Sequence, residues 1–251
     1  MKSVRFLTGK PALLVEGCLV VSDLHLGIEK DFRRKGIKFP SQTEKMASAL
    51  EELLAETGAD RLFIIGDVKH NVPGTSFQEI REIPEFFSRL SEKAVVEVVP
   101  GNHDGGLDKL LPENVTLHPS SGVRAGDFYL NHGHTWPGED FLNCSTLITG
   151  HQHSVIEFRD GLGYVFREPV WIRGSLLREK LLKKYNHLPD ELPGIIIMPP
   201  FSGLAGGIGI NSRQQGDFMG PLSKALDRKT AGLHLLDGTY IGTLQRLVEN
   251  K

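Results

Sequence analysis

Five short motifs rich in histidine and acidic residues occur along this 251-residue chain. In order, they are Asp23-Leu24-His25, Gly66-Asp67, Gly101-Asn102-His103-Asp104, His132-Gly133-His134 and Gly150-His151-Gln152-His153. Imidazole, carboxylate and amide groups are good ligands for divalent Mn, Fe, Co, Ni and Zn. Two such ions held about 3.5–4 Å apart can clamp the attacking and leaving oxygens of a phosphoester. The motifs therefore predict a two-metal centre suited to phosphoester hydrolysis.

Each motif also has an ordinary structural interpretation. Asp23-Leu24-His25 alone could be an exposed strand end, and Gly66-Asp67 alone could be a common turn. Residues 101–104 could form a plain turn after a strand, whereas residues 150–153 are the strongest single signal. Five such motifs in one order are hard to explain as coincidence, so we favour the functional interpretation.

Three of the motifs directly follow predicted buried strands. These strands are Cys18–Ser22, Arg61–Ile65 and Ala94–Val99, which are short and rich in β-branched residues. Ligands of open α/β sheets bind beyond the carboxyl ends of the strands. Asp23, Asp67 and Asn102 are therefore expected at one edge of a sheet, and Asp67 is the natural bridge because both its oxygens project beyond the backbone.

Two motifs place candidate ligands two residues apart. On an extended chain, side chains at such positions lie on the same face. Asp23 and His25 are therefore expected to reach one small volume, and His151 and His153 to do the same.

Helices and further strands are predicted around the motifs. Ser41–Thr57 fits an amphipathic helix with Ser41 and Glu44 as a capping box and Gly58 as its end. Its apolar face comprises Met46, Leu50, Leu53 and Leu54. Phe77–Leu90 predicts a second helix that Pro84 interrupts.

The second half of the chain is predicted to be rich in β-structure. Strands are expected at Ala12–Glu16 and then at Val123–Ala125, Asp127–Asn131, Thr146–Thr149, Val155–Arg159, Tyr164–Ile172 and Ile195–Met198, with a hairpin of Leu233–Leu236 and Thr239–Leu244. Leu176–Tyr185 predicts a short helix. Pro199–Pro221 predicts a long loop, which could be functional or a variable surface excursion.

Together the motifs resemble the calcineurin-like metallophosphoesterase superfamily. The resemblance covers roughly residues 20–155 and implies a four-layer α/β/β/α sandwich of two mixed sheets flanked by helices. It implies one ion held by Asp23, His25, Asp67 and His153, and another held by Asp67, Asn102, His132 and His151. It also implies that His103 protonates the leaving oxygen or stabilises charge, that Asp104 orients His103, that a metal-bridging hydroxide attacks phosphorus, and that manganese is the activating ion.

Softer motifs resemble an archaeal and bacterial group called DNA-ligase-associated phosphoesterases. They are Asp23–Gly27, Gly66–His70, Pro199–Phe201 with the glycines up to Gly207, and Leu236–Thr239. This second resemblance spans nearly the whole chain, and we expect residues 1–251 to form a single domain.

Other polar residues near the motifs have two open interpretations. His134, His70 and Lys69 could contact substrate or support the ligands through hydrogen bonds. Arg33, Arg34 and Lys35 could bind phosphate oxygens or form the solvated face of a short helix. Trp136 could stack on a base or pack in the core. His118, His187 and His234 are interpreted as ordinary surface or packed residues.

Composition limits the function. The net charge of −2 and pI near 6.6 give no global basic field, which argues against tight non-specific nucleic-acid binding. Cys18 and Cys144 are expected to be buried, reduced thiols. Neither a signal peptide nor a membrane span is predicted, so we expect a cytoplasmic protein. A homo-oligomer is compatible with the sequence.

The favoured function is a phosphodiesterase acting on a nucleotide or a nucleic-acid end. The alternatives are a phosphomonoesterase with the same centre and a scaffold that has lost catalysis. Only 98 residues follow His153, and several are predicted strands, so a DNA-clamping cap domain is not expected. The retained His103 argues against the scaffold.

Overall fold

Two β-sheets form the centre of the fold. The computed structural model describes residues 4–207, 209–212 and 218–249. The strands of the first sheet are β1 (Arg5–Phe6), β2 (Leu13–Val15), β3 (Cys18–Val21), β4 (Arg61–Ile65), β5 (Val95–Val99) and β6 (Thr116–Leu117). They are hydrogen-bonded in that order, and β3 to β6 are parallel.

The second sheet contains the remaining strands. They are β7 (Val123–Ala125), β8 (Phe128–Leu130), β9 (Thr146–Thr149), β10 (Val155–Arg159), β11 (Val165–Gly174), β12 (Gly194–Ile197), β13 (Gly232–Leu235) and β14 (Tyr240–Thr243). The order is β14-β13-β11-β12-β9-β8-β7, with β10 paired to β11 off this path. Strands β8, β9 and β12 are parallel, so the sheet is mixed.

Helices lie outside both sheets. They are α1 (Glu29–Arg34), α2 (Thr43–Thr57), α3 (Phe77–Ser91), α4 (Arg178–Leu181), α5 (Gly220–Lys224) and α6 (Leu244–Glu249). Short 3₁₀ turns occupy Leu107–Lys109 and Glu139–Asn143.

The alternating direction of side chains along the buried strands explains why helices and sheets form layers. In β4, Leu62 and Ile64 join the core beneath α2 and α3, whereas Phe63 and Ile65 join the core between the sheets. Successive strand residues point to opposite faces, so a continuous apolar run must be covered on both sides. The result is the four-layer α/β/β/α sandwich, as the resemblance implied.

Helix α2 has the predicted apolar face but a different start. Met46, Leu50, Leu53 and Leu54 are buried, and the left-handed Gly58 ends the helix. The expected capping box is wrong: the helix begins after Gln42, which caps it without a side-chain hydrogen bond. The Ser41 hydroxyl instead donates to Glu82 Oε2 at 2.7 Å, because that acceptor lies in the facing helix.

Helix α3 continues through Pro84, so the predicted interruption is also wrong. Proline removes one backbone donor from a helix interior. Burial of Ile83, Phe86, Phe87 and Leu90 against the first sheet offsets that loss. A capping box is present at the start of α3, where Ser76 and Glu79 each bond the other's backbone N–H.

The strands predicted for the second half of the chain are largely confirmed, with small shifts at their ends. The β13–β14 hairpin is present, and the predicted helix at Leu176–Tyr185 shortens to α4. The predicted loop to Pro221 ends earlier, because α5 begins at Gly220, while residues 208 and 213–217 lie outside the described residues. Both cysteines are free and buried. None of the described helices has the length and apolarity to cross a membrane.

Candidate metal centre

The five motifs meet where parallel strands of the two sheets end. Asp23 and Asp67 follow β3 and β4, and His132 and His151 follow β8 and β9 by two residues each. The sheets are joined at this edge, because His132 Nδ1 donates to the carbonyl oxygen of Ile65 at 3.0 Å. Asn102, which follows β5, lies exposed in the next turn.

The ligand segments are not extended, contrary to the sequence-based expectation. The φ angles are 55° at Asp23, 47° at His25, 50° at Asp67, 71° at His151 and 44° at His153. Residues other than glycine rarely adopt the left-handed region, which costs roughly 1–2 kcal/mol per residue. The side chains still converge, but through tight turns rather than strand alternation, and such strain is concentrated at functional sites.

The first candidate site contains Asp23, His25, Asp67 and His153. One ligand atom from each lies within 4.8 Å of the others. His153 Nε2 is 3.0 Å from His25 Nε2 and 3.3 Å from Asp23 Oδ1. His25 Nε2 is 3.6 Å from Asp67 Oδ2. The Ser22 hydroxyl donates to Asp23 Oδ2 and thereby orients that carboxylate.

The second candidate site shares Asp67 with the first. Asp67, His132 and His151 again offer ligand atoms within 4.8 Å of one another. His132 Nε2 is 3.5 Å from Asp67 Oδ1, the oxygen that does not face His25. The two oxygens of one carboxylate therefore face two groups of imidazoles.

Charge and burial determine how these groups titrate in the metal-free protein. Burial disfavours the ionised form of Asp67, but His132 and His25 outweigh it and hold the pKa of Asp67 well below its usual range. Burial also opposes protonation of His132, yet the carboxylates of Asp67 and Asp23 raise the pKa of His132 to about 9. Burial lowers the pKa of His25 to about 3 and that of His151 to about 4.

His103 lies beside Asp67 with its ring held from behind. Its Nδ1 donates to the carbonyl oxygen of His70 at 2.7 Å, and its backbone N–H donates to Asp67 Oδ1 at 2.9 Å. Because a carbonyl only accepts, the ring presents Nε2 to the centre, 4.0 Å from Asp67 Oδ2.

Asp104 binds backbone groups of the loop and not the His103 ring, so its expected role in orienting His103 would act through the loop and stays a prediction. Its buried carboxylate accepts from the backbone N–H of Gly101 at 2.8 Å and of Lys69 at 3.1 Å. Burial raises the pKa of Asp104. The carboxylate therefore ties the loop after β5 to the loop after β4, since unpaired amides in a buried loop would be costly.

His70 and Lys69 are bound to protein groups in this structure. His70 Nδ1 is 3.3 Å from His25 Nδ1, and His70 Nε2 is 3.0 Å from Asp31 Oδ2. Lys69 is buried, and its ammonium donates to the carbonyl oxygens of Asn71 and Gly74, both at 2.8 Å. These contacts match the supporting interpretation; a direct role on substrate stays a prediction.

Three other side chains near the motifs pack against protein groups. His134 packs beside His132, with ring centroids 5.2 Å apart, and burial lowers the pKa of His134 to about 4. Trp136 contacts Tyr185 edge to face, which matches core packing. His118 pairs with Glu97 at 2.7 Å.

Several supporting residues escaped sequence reasoning. Ser22 acts on its neighbour Asp23, whereas Asp31 and Gln152 act through partners distant in sequence: Asp31 binds His70, and Gln152 pairs with the backbone of Met219. Glu79 could have been found from the sequence, because the Ser76–Glu79 spacing is typical of a capping box. Its carboxylate also accepts from the backbone N–H groups of His70 and Asn71, so the capping residue holds the loop behind His103.

The layered fold and the paired acid and histidine groups define a candidate metallohydrolase. The family model for calcineurin-like phosphoesterases matches residues 18–198, which is more than half of the chain. The chain therefore belongs to the calcineurin-like phosphoesterase family, whose members are phosphoric ester hydrolases. No curated protein is similar enough to count as a match.

Solved structures share the fold at low sequence identity. Pseudomonas putida nuclease MPE is 19% identical, with a TM-score of 0.56 over 92% of each chain. YfcE, a phosphoesterase from E. coli, is 17% identical, with a TM-score of 0.40 over 90% of this chain and 96% of that one. The first supports the fold alone.

Proposed function

We propose that the protein is a binuclear, metal-dependent phosphodiesterase that acts on a nucleotide or nucleic-acid phosphodiester. One observation carries the proposal: Asp67 presents Oδ2 to His25 and Oδ1 to His132, 3.6 and 3.5 Å away. A shared carboxylate between two groups of imidazole ligands is the arrangement that two-metal hydrolases require.

The residues fit a pair of divalent ions. Buried His132 Nε2 has no hydrogen-bond partner although Nδ1 is satisfied by Ile65. His25 and His153 direct their Nε2 atoms at each other beside two carboxylates. Buried polar atoms are normally paired, so the unpaired Nε2 of His132, which faces the Asp67 carboxylate, favours a cation between them.

The ligand sets follow from these groups. Asp23, His25, Asp67 and His153 would hold one ion, and Asp67, His132, His151 and Asn102 the other. We propose Mn²⁺ as the activating ion, as the resemblance to the calcineurin-like phosphoesterases implies; oxygen and imidazole ligands without thiolate are compatible with Mn, Fe, Co, Ni or Zn. When bound, such ions activate water and withdraw charge from the phosphoryl group.

His103 is the proposed proton donor to the leaving oxygen. The carbonyl of His70 fixes the ring, so a proton on Nε2 is directed at the space above Asp67. Glu79, Lys69 and Asp104 would act as positioning residues, because they bind the backbone on which His70 and His103 are held.

The choice of a diester rests on the likeness to a nuclease. The chain shares its fold with P. putida nuclease MPE over most of both lengths, and that protein is described as a nuclease. We carry this substrate class to the present protein as a proposal, in which the phosphomonoesterase is the alternative outcome.

Replacing His103 by Ala tests the function. We expect diester turnover with Mn²⁺ to fall about 10²–10⁴-fold, the usual contribution of a general acid, while both ions remain bound. Metal-stripped protein would be reloaded and assayed on a generic phosphodiester and a generic phosphomonoester. His187→Ala, at an exposed histidine, is the matched control.

Each other outcome of this assay has a defined meaning. Cleavage of the monoester alone would replace the phosphodiesterase by a phosphatase. Absence of metal-dependent turnover on both esters, or a His103→Ala variant as active as His187→Ala, would contradict the proposed mechanism.

Metal binding is expected to release protons in a pH-dependent way. His132 carries a proton at pH 7 because the pKa of His132 is raised to about 9. Burial opposes protonation of the ligand His153 as well, yet the Asp23 carboxylate raises the pKa of His153. Ligation requires neutral rings, so Mn²⁺ binding should release at least one proton at pH 7 and fewer as the pH rises beyond 9. The apparent affinity for Mn²⁺ should therefore rise about tenfold or more per pH unit between pH 7 and pH 9. Calorimetry of Mn²⁺ binding in buffers of different ionisation enthalpy measures the release; a release that does not change with pH would refute it.

A further inference from the structure

A short basic segment lies at one side of the candidate centre. Residues 29–38 contain five basic side chains and two acidic ones, whereas the whole chain has a net charge of −2. The basic residues are Lys30, Arg33, Arg34, Lys35 and Lys38. A local positive patch on an acidic protein is a specific feature that the overall charge conceals.

Contacts place this segment next to the ligand His25. Arg34 pairs with Asp31 at 3.4 Å, Asp31 with His70 at 3.0 Å, and His70 Nδ1 lies 3.3 Å from His25 Nδ1. Lys30 donates to the Asn71 side chain at 3.1 Å, in the loop that follows His70. The segment is therefore separated from the ligand His25 by His70 alone.

Acidic neighbours do not neutralise the patch. Glu29 is buried, and its carboxylate accepts from the backbone N–H of Gln42 and from the Gln78 side chain. Asp31 is the only carboxylate that the described structure pairs with a basic residue of this segment. Arg33 donates to Gln78, a neutral partner, and its charge stays available to solvent.

An exposed aromatic ring stands beside these charges. Phe77 is 93% exposed, although burying such a ring would be favourable. It precedes Gln78, the partner of Arg33, and begins α3 directly after the capping residue Ser76. The capping box holds this helix end, so the backbone that carries the ring has a defined position.

We propose that Lys30, Arg33, Arg34, Lys35 and Phe77 form a basic rim that binds a single-stranded polynucleotide segment next to the scissile phosphodiester. The cations would contact phosphates and Phe77 would stack on a base. Positive grooves with exposed aromatic rings bind single strands in this way. The inference rests on the proposed phosphodiesterase and specifies its substrate.

Binding to the metal-free protein tests the rim without catalysis. Anisotropy of a fluorescent oligothymidylate would be measured with chelator over a salt series. Arg33→Gln with Lys35→Gln should weaken binding and reduce the slope of log Kd against log salt by about 1.4, for two phosphate contacts. Phe77→Ala should weaken binding about 5- to 150-fold with little change of slope, and Phe77→Trp should retain it.

Matched control variants remove two positive charges or one aromatic ring at surface positions outside the basic rim. Lys183→Gln with Lys184→Gln removes two exposed charges near α4, and Tyr240→Ala removes an aromatic ring that is 57% exposed. Rim variants that bind like these controls, or wild-type protein that does not bind oligothymidylate, would overturn the proposal. Equal binding of polyglutamate, unaffected by Phe77→Ala, would assign the rim to acidic proteins and overturn it too.

Turnover separates this inference from the proposed function. With Mn²⁺, the ratio of kcat/KM for oligonucleotide to that for bis(4-nitrophenyl) phosphate should fall about tenfold or more in the rim variants. An unchanged ratio with active enzyme would refute the rim alone. Inactivity on both esters would refute the phosphodiesterase, and the binding assay would still decide the rim.

Discussion

Asp67→Asn is expected to lower metal-dependent phosphoesterase turnover by about 10³-fold or more and to reduce the bound ions from two to one or fewer. Asn preserves the shape of the side chain and can still accept the His103 backbone N–H. It removes the negative charge and one of the two oxygens that face His25 and His132. Paired metals supply several kcal/mol of transition-state stabilisation, and each ~1.4 kcal/mol is a factor of ten.

Metal content after dialysis and turnover of a generic diester measure this effect together. Asp237→Asn is the matched control, since Asp237 is an exposed carboxylate in the β13–β14 turn. Retention of two ions with turnover within tenfold of the wild-type value would show that Asp67 does not bridge the sites.

Gly66→Ala is expected to destabilise the protein strongly, although it adds a single methyl group. Gly66 has a φ of 91°, and an added Cβ would lie 2.1 Å from His132 Nδ1. The His132 ring cannot retreat, because it is fully buried and bonded to Ile65. Overpacking and left-handed strain together cost about 2–5 kcal/mol, which corresponds to a fall in Tm of roughly 5–15 °C.

Thermal unfolding of the metal-free variant measures this loss, and metal titration of the folded fraction measures damage to the site. Gly9→Ala separates the two causes, because Gly9 has a φ of 71° with open space around it. The Gly9→Ala variant should lose only the part of the free energy of unfolding that comes from left-handed backbone strain, about 1–2 kcal/mol. Equal Tm values for the two variants would mean that the His132 ring moves away from the added methyl group.

The local sequence pattern was sufficient to predict most helices and strands and the residue types of the candidate metal ligands. The strand Arg61–Ile65 could be predicted, because its four apolar residues after Arg61 are all buried, on one face or the other. The motif residues could be assigned to strand ends, since ligand-bearing loops follow parallel strands. Errors arose where distant partners intervened, as with Ser41, whose hydroxyl accepts from the backbone N–H of Thr43 at the start of α2 but donates to Glu82 in the facing helix.

The sequence by itself determined which chemistry is possible: imidazoles and carboxylates at strand ends, with no thiolate among them. Only the tertiary structure decided how the groups are aimed. Asp104 binds backbone amides, Lys69 is directed at loop carbonyls, and five ligand residues use left-handed backbone rather than extended chain. The neighbourhood of Phe77 and Arg33 likewise depends on the packing of α1 against α3. The physical reason is that residue type sets what a group can bind, whereas the partner it meets depends on segments far apart in sequence.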